Sequence, residues 1–330
     1  MNRLLTLGVF VIVYFIFSLF ARNFFTVAGV LNLLVQTSTF TIIAIGSTLV
    51  LIVGGIDFSL GAVVAFGGTS LPWIAAMFGA PVWLCYVGAI CLGGLIGLLN
   101  GLLVTRLRIP SFLATMSVAM ILYGIMNVLA WIAFNSSGPP PHPIPDFGGL
   151  ANTPVFRIYS TNAAGARTVV FPGISWIVII MVIVAVLFHF MTTRSRIGRY
   201  FHMVGFNETA ARFSGIRVNR IKRSAYVLAG MLAALSGVLL TSRLGWPPGG
   251  AVGYEMIGIT CAMIGGASLS GGVGSIGGTV IGSFIISTIA VGLSMANTNN
   301  PALPMLFNGI VILGAVCLDQ VRNMRPANRT

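Results

Sequence analysis

Long apolar segments separated by short polar stretches are the feature that most constrains the fold of this chain. Only 7% of its 330 residues are charged, against roughly 25% in soluble domains. A helix needs about 20 apolar residues to cross the ~30 Å hydrocarbon core of a bilayer, and many of the segments approach that length. Strands of a membrane barrel would instead show about ten residues of alternation. The sequence therefore predicts an all-α integral membrane protein with about ten transmembrane helices.

The predicted spans comprise eight regular segments and two interrupted ones. The regular spans are Leu4 to Phe20, Leu60 to Phe78, Val82 to Thr105, Ser111 to Phe134, Ile174 to Phe190, Ala225 to Leu240, Gly277 to Leu293 and Met305 to Leu318. The interrupted spans are Thr37 to Val53 and Tyr254 to Leu269. No boundary between folded domains is visible, so residues 1–330 are interpreted as a single transmembrane domain.

The distribution of basic residues predicts the orientation of these spans. Cytoplasmic loops of membrane proteins carry an excess of Lys and Arg. With both termini inside, fourteen of the 18 basic residues fall on the inner side: Arg3, Arg106, Arg108, eight within residues 192–223, Arg322, Arg325 and Arg329. The outer side holds Arg22, Arg157, Arg167 and Arg243. The net charge of +13 is thereby explained by topology, so we predict contact with membrane lipid and no nucleic-acid partner. Both termini are expected to be cytoplasmic.

Residues that could support catalysis are sparse. The only lysine, Lys222, follows Ile221, so no Gly-Lys-Ser/Thr phosphate-binding loop is present. The five acidic residues are scattered, and the histidines His142, His189 and His202 are far apart in the sequence. Neither a general acid/base pair nor a metal-ligand set is indicated. We therefore predict that the chain is not an enzyme and holds no cofactor or metal of its own.

One acidic residue, Asp57, lies inside the apolar stretch "LVLIVGGIDFSLGAVVAF", residues 49–66. The predicted spans put it between the second and third helices, towards the cytoplasmic side, with Gly54 and Gly55 allowing a sharp turn and Ser59 capping the next helix. If the break lies deeper, its backbone must line a cavity. We interpret the stretch as a hinge or gate rather than a proton relay.

The basic inner loop, residues 192–223, contains "GFNETAARFSGI", which predicts one short helix. Asn207 is the expected N-cap, Glu208 lies in the first turn and Gly215 ends the helix. A face of small residues would be formed by Ala210, Ala211 and Ser214. The segment could serve only to fix topology. It could also dock a cytoplasmic partner, because a short capped helix can lie in a groove.

A third stretch, "MIGGASLSGGVGSIGGTVIG" at residues 263–282, is rich in glycine. Such density permits either close helix packing or a break in the span, and broken backbone at membrane depth must line a cavity or be buried in protein. Gly265, Gly266, Ser268 and Ser270 are candidate residues here. Asn100 in "LLNGLL" is another candidate, although it could simply hydrogen-bond between helices.

Four motifs, taken together, resemble a known family. They are "GGIDFSLGAVVAF", "GLLNGLLVTRLRIPSFLAT", "GRYFHMVGFNETAARFSGI" and "IGGASLSGGVGSIGGTVIGS", in the order and approximate spacing seen in the ribose, xylose and galactose type permeases of bacterial ABC uptake systems. The resemblance covers most of the chain, from about Ile43 to Asp319. It implies a multi-pass permease of the bacterial inner membrane that translocates a monosaccharide or related polyol.

The resemblance also implies partners and roles for particular residues. The expected partners are a second permease copy or paralogue, a cytoplasmic ABC ATPase that holds the ATP and Mg, and a periplasmic sugar-binding protein. By the same resemblance, residues 192–223 become the coupling loop. The predicted orientation of the spans makes residues 135–173 an external loop. The residues implied in coupling to the ATPase are Gly205, Asn207, Glu208, Ala210, Ala211, Ser214 and Gly215. The candidate pathway or gate residues are Gly54, Gly55, Asp57, Ser59, Asn100, Gly265, Gly266, Ser268 and Ser270.

Two positions depart from the family pattern. Ile257 stands where relatives usually carry an acid, in "YEMI", and Tyr123 stands where an arginine is common. The two departures leave open whether a charge pair was removed or the substrate altered. Two other function classes also remain open: an ion-coupled secondary transporter, which typically uses intramembrane ionisable residues, and a membrane-embedded enzyme or assembly factor. The sequence leaves the solute open, as well as whether the permease dimer is homo- or heteromeric.

Overall fold

The computed structural model of the chain consists mainly of helices. It describes residues 3–21, 23–134, 149, 153–161, 167–244 and 253–296, and beyond these 303, 306–307, 309–314 and 316–317. In chain order the elements are α1 (Arg3–Phe20), α2 (Val27–Ile52), α3 (Leu60–Phe78), α4 (Val82–Thr105), α5 (Ser111–Phe134), β1 (Ile158–Thr161), β2 (Arg167–Phe171), α6 (Trp176–Arg194), α7 (Arg196–Phe206), α8 (Glu208–Phe213), α9 (Val218–Leu244), α10 (Tyr254–Ile264) and α11 (Ile276–Met295).

Six helices are long and apolar enough to cross a membrane, namely α2, α4, α5, α6, α9 and α11, counted over the described residues. Shorter apolar stretches lie within α1, α3 and α10. These helices start and end close to the predicted spans in most cases, which confirms a multi-pass helical membrane protein. Of the last predicted span, Met305 to Leu318, the structure describes residues 306–307, 309–314 and 316–317, and all of these are helical.

The predicted span from Tyr254 to Leu269 was wrong in length. Helix α10 has 11 residues, which at 1.5 Å per residue gives about 16 Å and cannot cross the hydrocarbon core. It ends at the glycine pair Gly265–Gly266, where Gly266 has a φ of 94° that terminates the helical path. The glycines therefore interrupt the helix here. Of the two alternatives for this glycine-rich stretch, close packing or a break in the span, the structure shows the break.

Helix α2 is the most buried of the spans. It begins earlier than the predicted Thr37, because Thr26 acts as its N-cap and accepts a hydrogen bond from the Gly29 amide at 3.2 Å. Every residue from Thr37 to Ile52 is buried. A helix apolar on all sides must lie in the interior of the bundle, so α2 forms the central element around which α6, α9, α10 and α11 pack.

Helix α9 lies beside α2 and packs most extensively against α4, followed by α3 and α2. The close approach of α4 and α9 depends on small residues: a Cβ at Gly97 would overlap the Tyr226 carbonyl oxygen, and one at Gly93 would overlap that of Gly230. Glycines four residues apart let helix backbones approach in lipid, where van der Waals packing drives association. The glycines of α4 thus fix its position on α9.

Hydrogen bonds between buried hydroxyl groups supplement this packing. Thr48 on α2 and Thr279 on α11 bond through their Oγ1 atoms at 2.7 Å. On α9, Ser236 Oγ donates to the Thr39 carbonyl of α2 at 3.0 Å, and Thr241 Oγ1 donates to the Gly68 carbonyl of α3 at 2.6 Å. Ser and Thr side chains commonly join helices in this way inside membranes.

The prediction of a purely helical chain requires one correction, within the predicted external loop at residues 135–173. Strands β1 and β2 form an antiparallel hairpin, with Tyr159 opposite Val169 and Thr161 opposite Arg167. The segment "RTVVF" is rich in β-branched residues, which favour strands outside the membrane. Residues 135–148 of the same predicted loop lie outside the described residues.

We expect Gly97→Ala to destabilise the bundle, because the added Cβ forces α4 away from the Tyr226 carbonyl of α9. Overpacking of this kind typically costs about 1–3 kcal/mol. Gly124→Ala on α5 is the matched control, since a Cβ there meets nothing within 4 Å. Thermal unfolding of the purified protein in detergent should show a lower midpoint for Gly97→Ala only; equal midpoints for the two variants would contradict this packing.

Candidate functional site

Three of the predicted gate residues form one buried hydrogen-bonded cluster. Asp57 is 2% exposed, and its Oδ1 accepts from the Ser59 amide at 2.8 Å and from Ser59 Oγ at 2.6 Å. Asn100 Nδ2, on α4, donates to Ser59 Oγ at 2.7 Å. The donors therefore run in one direction, from Asn100 through Ser59 to the carboxylate. A buried carboxylate requires such donors, so Ser59 serves the cluster with its side chain and begins α3 with its carbonyl.

The linker that carries Asp57 is attached to the first turn of α5. The Ile56 amide donates to Ser111 Oγ at 3.2 Å, and the Phe58 amide donates to Thr115 Oγ1 at 3.0 Å. Both amides lie outside a helix and need acceptors when buried. Ser111 and Thr115 were missed as site residues, although a hydroxyl pair on the turn after a proline could have suggested acceptors for a neighbouring loop. The linker is thus held between α4 and α5.

The glycine-rich stretch forms a tight turn between α10 and α11. The Ser268 amide donates to the Val273 carbonyl at 3.1 Å, and the Gly271 amide donates to the Ser268 carbonyl at 3.2 Å. A Cβ at Gly265 would contact the backbone of Gly278, so the facing ends of the two helices approach closely. The predicted residues Ser268 and Ser270 belong to this turn, whereas Asp57, Ser59 and Asn100 belong to the cluster after α2.

Three of the sequence motifs meet at one place, which we call the glycine junction and define as Ile52, Gly54, Gly205, Gly271 and Gly272. The Gly272 amide donates to the Ile52 carbonyl, the last of α2, at 2.8 Å. A Cβ at Gly205 would overlap that same carbonyl oxygen, and one at Gly271 would lie 2.8 Å from the Gly205 carbonyl oxygen and 2.9 Å from Gly54 Cα. Gly54 and Gly272 have φ values of 76° and 74°, which favour glycine. Gly55 instead packs beneath the Tyr226 hydroxyl.

The predicted coupling helix is present, and a second helix precedes it. Helix α8 has Asn207 as N-cap, whose Oδ1 accepts from the Ala210 amide at 2.9 Å, and Gly215 follows its end with a φ of 78°. Helix α7, which the sequence prediction missed, is strongly amphipathic, with Phe201 and Val204 buried. The alternation of Arg with apolar residues in "RIGRYFHMVGF" was the available signal. Most of the loop is therefore structured.

The predicted small-residue face of α8 is only partly correct. Ala211 is 2% exposed and packs inward against Val204 of α7 and Val218 of α9, because residues on adjacent faces of one helical turn cannot all point outwards. Ala210 and Ser214 are exposed. The exposed face of α8 is therefore narrower than expected, and Ala211 anchors the helix to the membrane domain.

A shallow open groove of about 360 Å³ lies between α7 and α8. Its lining residues are His202, Met203, Phe206, Asn207, Ala210, Ala211, Ser214 and Gly272. The side chain of Phe206 is 82% exposed and that of Phe213 on α8 is 88% exposed. We call this surface the α7–α8 groove. It adjoins the glycine junction directly, because Gly272 belongs to both.

Glu208 ties α8 to the start of α9. Its Oε2 accepts from Lys222 Nζ at 2.6 Å, and its Oε1 accepts from Arg212 at 3.1 Å. The hydrogen bond from Lys222 is the largest of the effects that hold the pKa of Glu208 below its usual value. Glu208 thus has a structural role in orienting α8 relative to α9.

The two departures from the family pattern lie in different surroundings. Ile257 of α10 packs in an apolar cluster with Phe40 and Cys261, where an acid would be poorly solvated. Tyr123 of α5 packs against the core, and its hydroxyl has no hydrogen-bond partner among the described residues. Glu255, which does match the family, accepts from the Gly253 amide at the start of α10. An apolar neighbourhood thus accommodates Ile257.

Apolar helices long enough to span a membrane, two of them interrupted and joined at the glycine junction, are typical of a membrane permease. A family model described as branched-chain amino acid transport system, permease component, matches residues 29–316. The chain belongs to this family, and the predicted resemblance to ABC permeases is confirmed. Permeases of this class are not themselves enzymes; they work with ATPase and substrate-binding partners.

Individual relatives match almost the whole chain. It is 34% identical to the ribose import permease protein RbsC of Escherichia coli K12, over 92% of this chain and 89% of the relative. It is 35% identical to the protein of the same name from Bacillus subtilis, over 96% and 92% of the two chains. The L-arabinose ABC transporter permease protein AraH of Azospirillum brasilense is 30% identical, over 99% and 90%.

We predict that the Glu208 contribution to stability depends on pH. Because its folded-state pKa is lowered, this contribution is fully present above the unfolded-state pKa, about 4.3, and is lost as the pH falls through the folded value. Exposure limits it to about 0.2–1 kcal/mol. Thermal unfolding of wild type and Glu208→Gln should therefore differ at about pH 6 and converge as the pH falls below the lowered folded-state pKa of Glu208. A constant difference across this range would contradict the assignment.

Proposed function

We propose that the chain is the permease subunit of an ATP-binding-cassette importer that moves a monosaccharide or related polyol into the cytoplasm. The observation that carries the proposal is the near-complete match to permeases named for ribose and L-arabinose. The family description mentions branched-chain amino acids, but sugar-named relatives that cover nine-tenths of the chain favour a sugar. The class of solute is proposed, and the particular sugar is left open.

The proposed topology has about ten transmembrane helices, with both termini in the cytoplasm of a bacterium and the spans in its inner membrane. Support comes from the excess of basic residues in the loops assigned to the inside. In this orientation the α7–α8 groove and the glycine junction face the cytoplasm, and the β1–β2 hairpin faces the periplasm. The junction then lies where a cytoplasmic subunit can reach it.

The proposed partners follow from this arrangement. A second permease copy or paralogue would complete the pathway, and a periplasmic sugar-binding protein would deliver the solute. A cytoplasmic ABC ATPase, which would hold ATP and Mg, would dock on the α7–α8 groove. The exposed Phe206 and Phe213 support docking, because large apolar side chains exposed together beside a groove typically mark an interaction surface. A segment that only fixed topology would not need them.

An ion-coupled secondary transporter is the alternative. It would require an ionisable residue in the pathway, and Asp57 is the strongest candidate. Reconstitution in liposomes with and without the co-purified ATPase tests the two: uptake of a sugar should require ATP and the ATPase. Uptake driven by an ion gradient in the absence of the ATPase would contradict the proposal.

We expect Ala210→Trp to abolish docking of the ATPase, because the indole would fill the α7–α8 groove, which Ala210 lines. Thr209→Trp is the matched control, since Thr209 is the exposed neighbour on α8 and does not line the groove. Co-purification of the ATPase should fall at least roughly tenfold for Ala210→Trp only, as for a blocked interface centre. Equal retention by both variants would contradict the groove as docking site.

Asp57→Asn should lower transport roughly fivefold, because a neutral amide oxygen accepts the Ser59 hydrogen bonds more weakly than a carboxylate. The pH profile of transport should stay unchanged, since a gate residue releases no proton during the cycle. Initial rates of sugar uptake over a pH series, for wild type and variant, are the measurement. A large shift in the profile would instead support the proton relay.

A further inference from the structure

His202 makes a contact that neither docking nor membrane insertion requires. It lies on α7, lines the α7–α8 groove and places its Nδ1 2.9 Å from the Gly272 carbonyl oxygen. A carbonyl oxygen can only accept, so Nδ1 carries the proton and donates. The two residues are 70 positions apart in the sequence, so this bond joins the cytoplasmic segment to the glycine turn before α11.

The backbone amide of Gly272 also forms a hydrogen bond, to the end of α2. It donates to the Ile52 carbonyl at 2.8 Å, at the point where α2 gives way to the linker that carries Asp57. Gly272 therefore accepts from α7 with its carbonyl and donates to α2 with its amide. One residue connects the docking segment, the glycine turn and the gate linker.

Backbone packing alone would permit these elements to slide past one another. Gly205 and Gly271 have no side chain, and their contacts are van der Waals approaches between backbones. Such van der Waals approaches have no preferred direction, whereas a hydrogen bond has a preferred length and angle and therefore links two particular groups. His202 supplies such a side-chain hydrogen bond between α7 and the glycine turn.

We propose that His202 is a positioning residue that transmits movement of the α7–α8 segment to the gate through its hydrogen bond to Gly272. The proposal rests on the proposed function, because it assumes an ATPase on the α7–α8 groove. When the ATPase displaces α7, the bond draws the Gly272 turn along with it, and the Gly272–Ile52 bond carries the displacement to the linker of Asp57 and Ser59.

Substitutions at His202 can distinguish the effect of this hydrogen bond from the effect of the size of the imidazole ring. In His202→Asn the side-chain amide nitrogen can occupy the place of Nδ1 and still donate to Gly272. In His202→Leu a side chain of comparable size remains without a donor. His189→Leu on α6 is the matched control, because within the described residues the His189 side chain makes no hydrogen bond and only its backbone carbonyl accepts.

The measurement is the number of sugar molecules taken up per ATP hydrolysed, in liposomes that contain the full transporter. Because His202 lines the α7–α8 groove, the ratio is counted only over transporters that retain the ATPase on co-purification. In these we expect His202→Leu to lower the ratio roughly fivefold, the value of one hydrogen bond. His202→Asn should restore most of the ratio, and His189→Leu should match the wild type.

Two results would overturn the proposal. A wild-type ratio in His202→Leu would show that the bond carries no movement, and an equal loss in His202→Asn and His202→Leu would show that the ring acts by its shape. Failure of the proposed function is distinguishable from both, since the wild-type protein would then neither bind an ATPase nor require ATP.

Discussion

The hydrogen bond from the Gly272 amide to the Ile52 carbonyl is the interaction on which the functional region depends. Each of the two residues lies at a break in the helical backbone, where amides and carbonyls lose their partners within the helix. In a membrane protein such groups must be satisfied inside the protein. The two breaks satisfy one another, and this mutual pairing brings distant parts of the chain together.

The pairing also explains why glycine occurs where it does. The backbone of α7 can approach both breaks only because Gly205 lacks a side chain. The same physical principle operates on α4, where Gly97 allows contact with α9. Without a strong hydrophobic force between helices in lipid, close backbone contact and hydrogen bonds hold the bundle together. The glycine junction is therefore held together by the same close backbone contacts and hydrogen bonds as the rest of the helix bundle.

The placement of Asp57 follows from the same constraint. A carboxylate next to apolar helices is tolerated because Ser59 donates twice to it and Asn100 donates to Ser59. Asp57 and Ser59 follow Ile52 closely in the chain. A displacement of the glycine junction therefore reaches them through the backbone of the linker. In this hinge Asp57 Oδ1, Ser59 and Asn100 Nδ2 are hydrogen-bonded to one another, whereas Asp57 Oδ2 and Asn100 Oδ1 are buried without a partner among the described residues.

The spans and the short helix α8 could be predicted from the sequence, because apolar length and helix capping depend only on residues close together in the chain. Apolar length gave most spans, and the capping pattern at Asn207 and Gly215 gave α8. The contact of Gly205 with Ile52, 153 positions apart, could not be predicted, because no local pattern encodes which glycines meet. Helix α10 was predicted too long for a related reason: hydropathy continues through Gly265 and Gly266, whereas backbone geometry ends the helix there.

Cross-linking across the junction tests most directly whether α7 and the glycine turn move as one unit. Met203 and Val273, the exposed neighbours of His202 and Gly272, would be changed to cysteine in a chain whose four native cysteines are replaced. The account predicts that a short thiol cross-linker joins the pair equally well with and without bound ATP, and that the joined transporter still takes up sugar. Cross-linking that depends on nucleotide, or a joined protein that no longer transports, would contradict it.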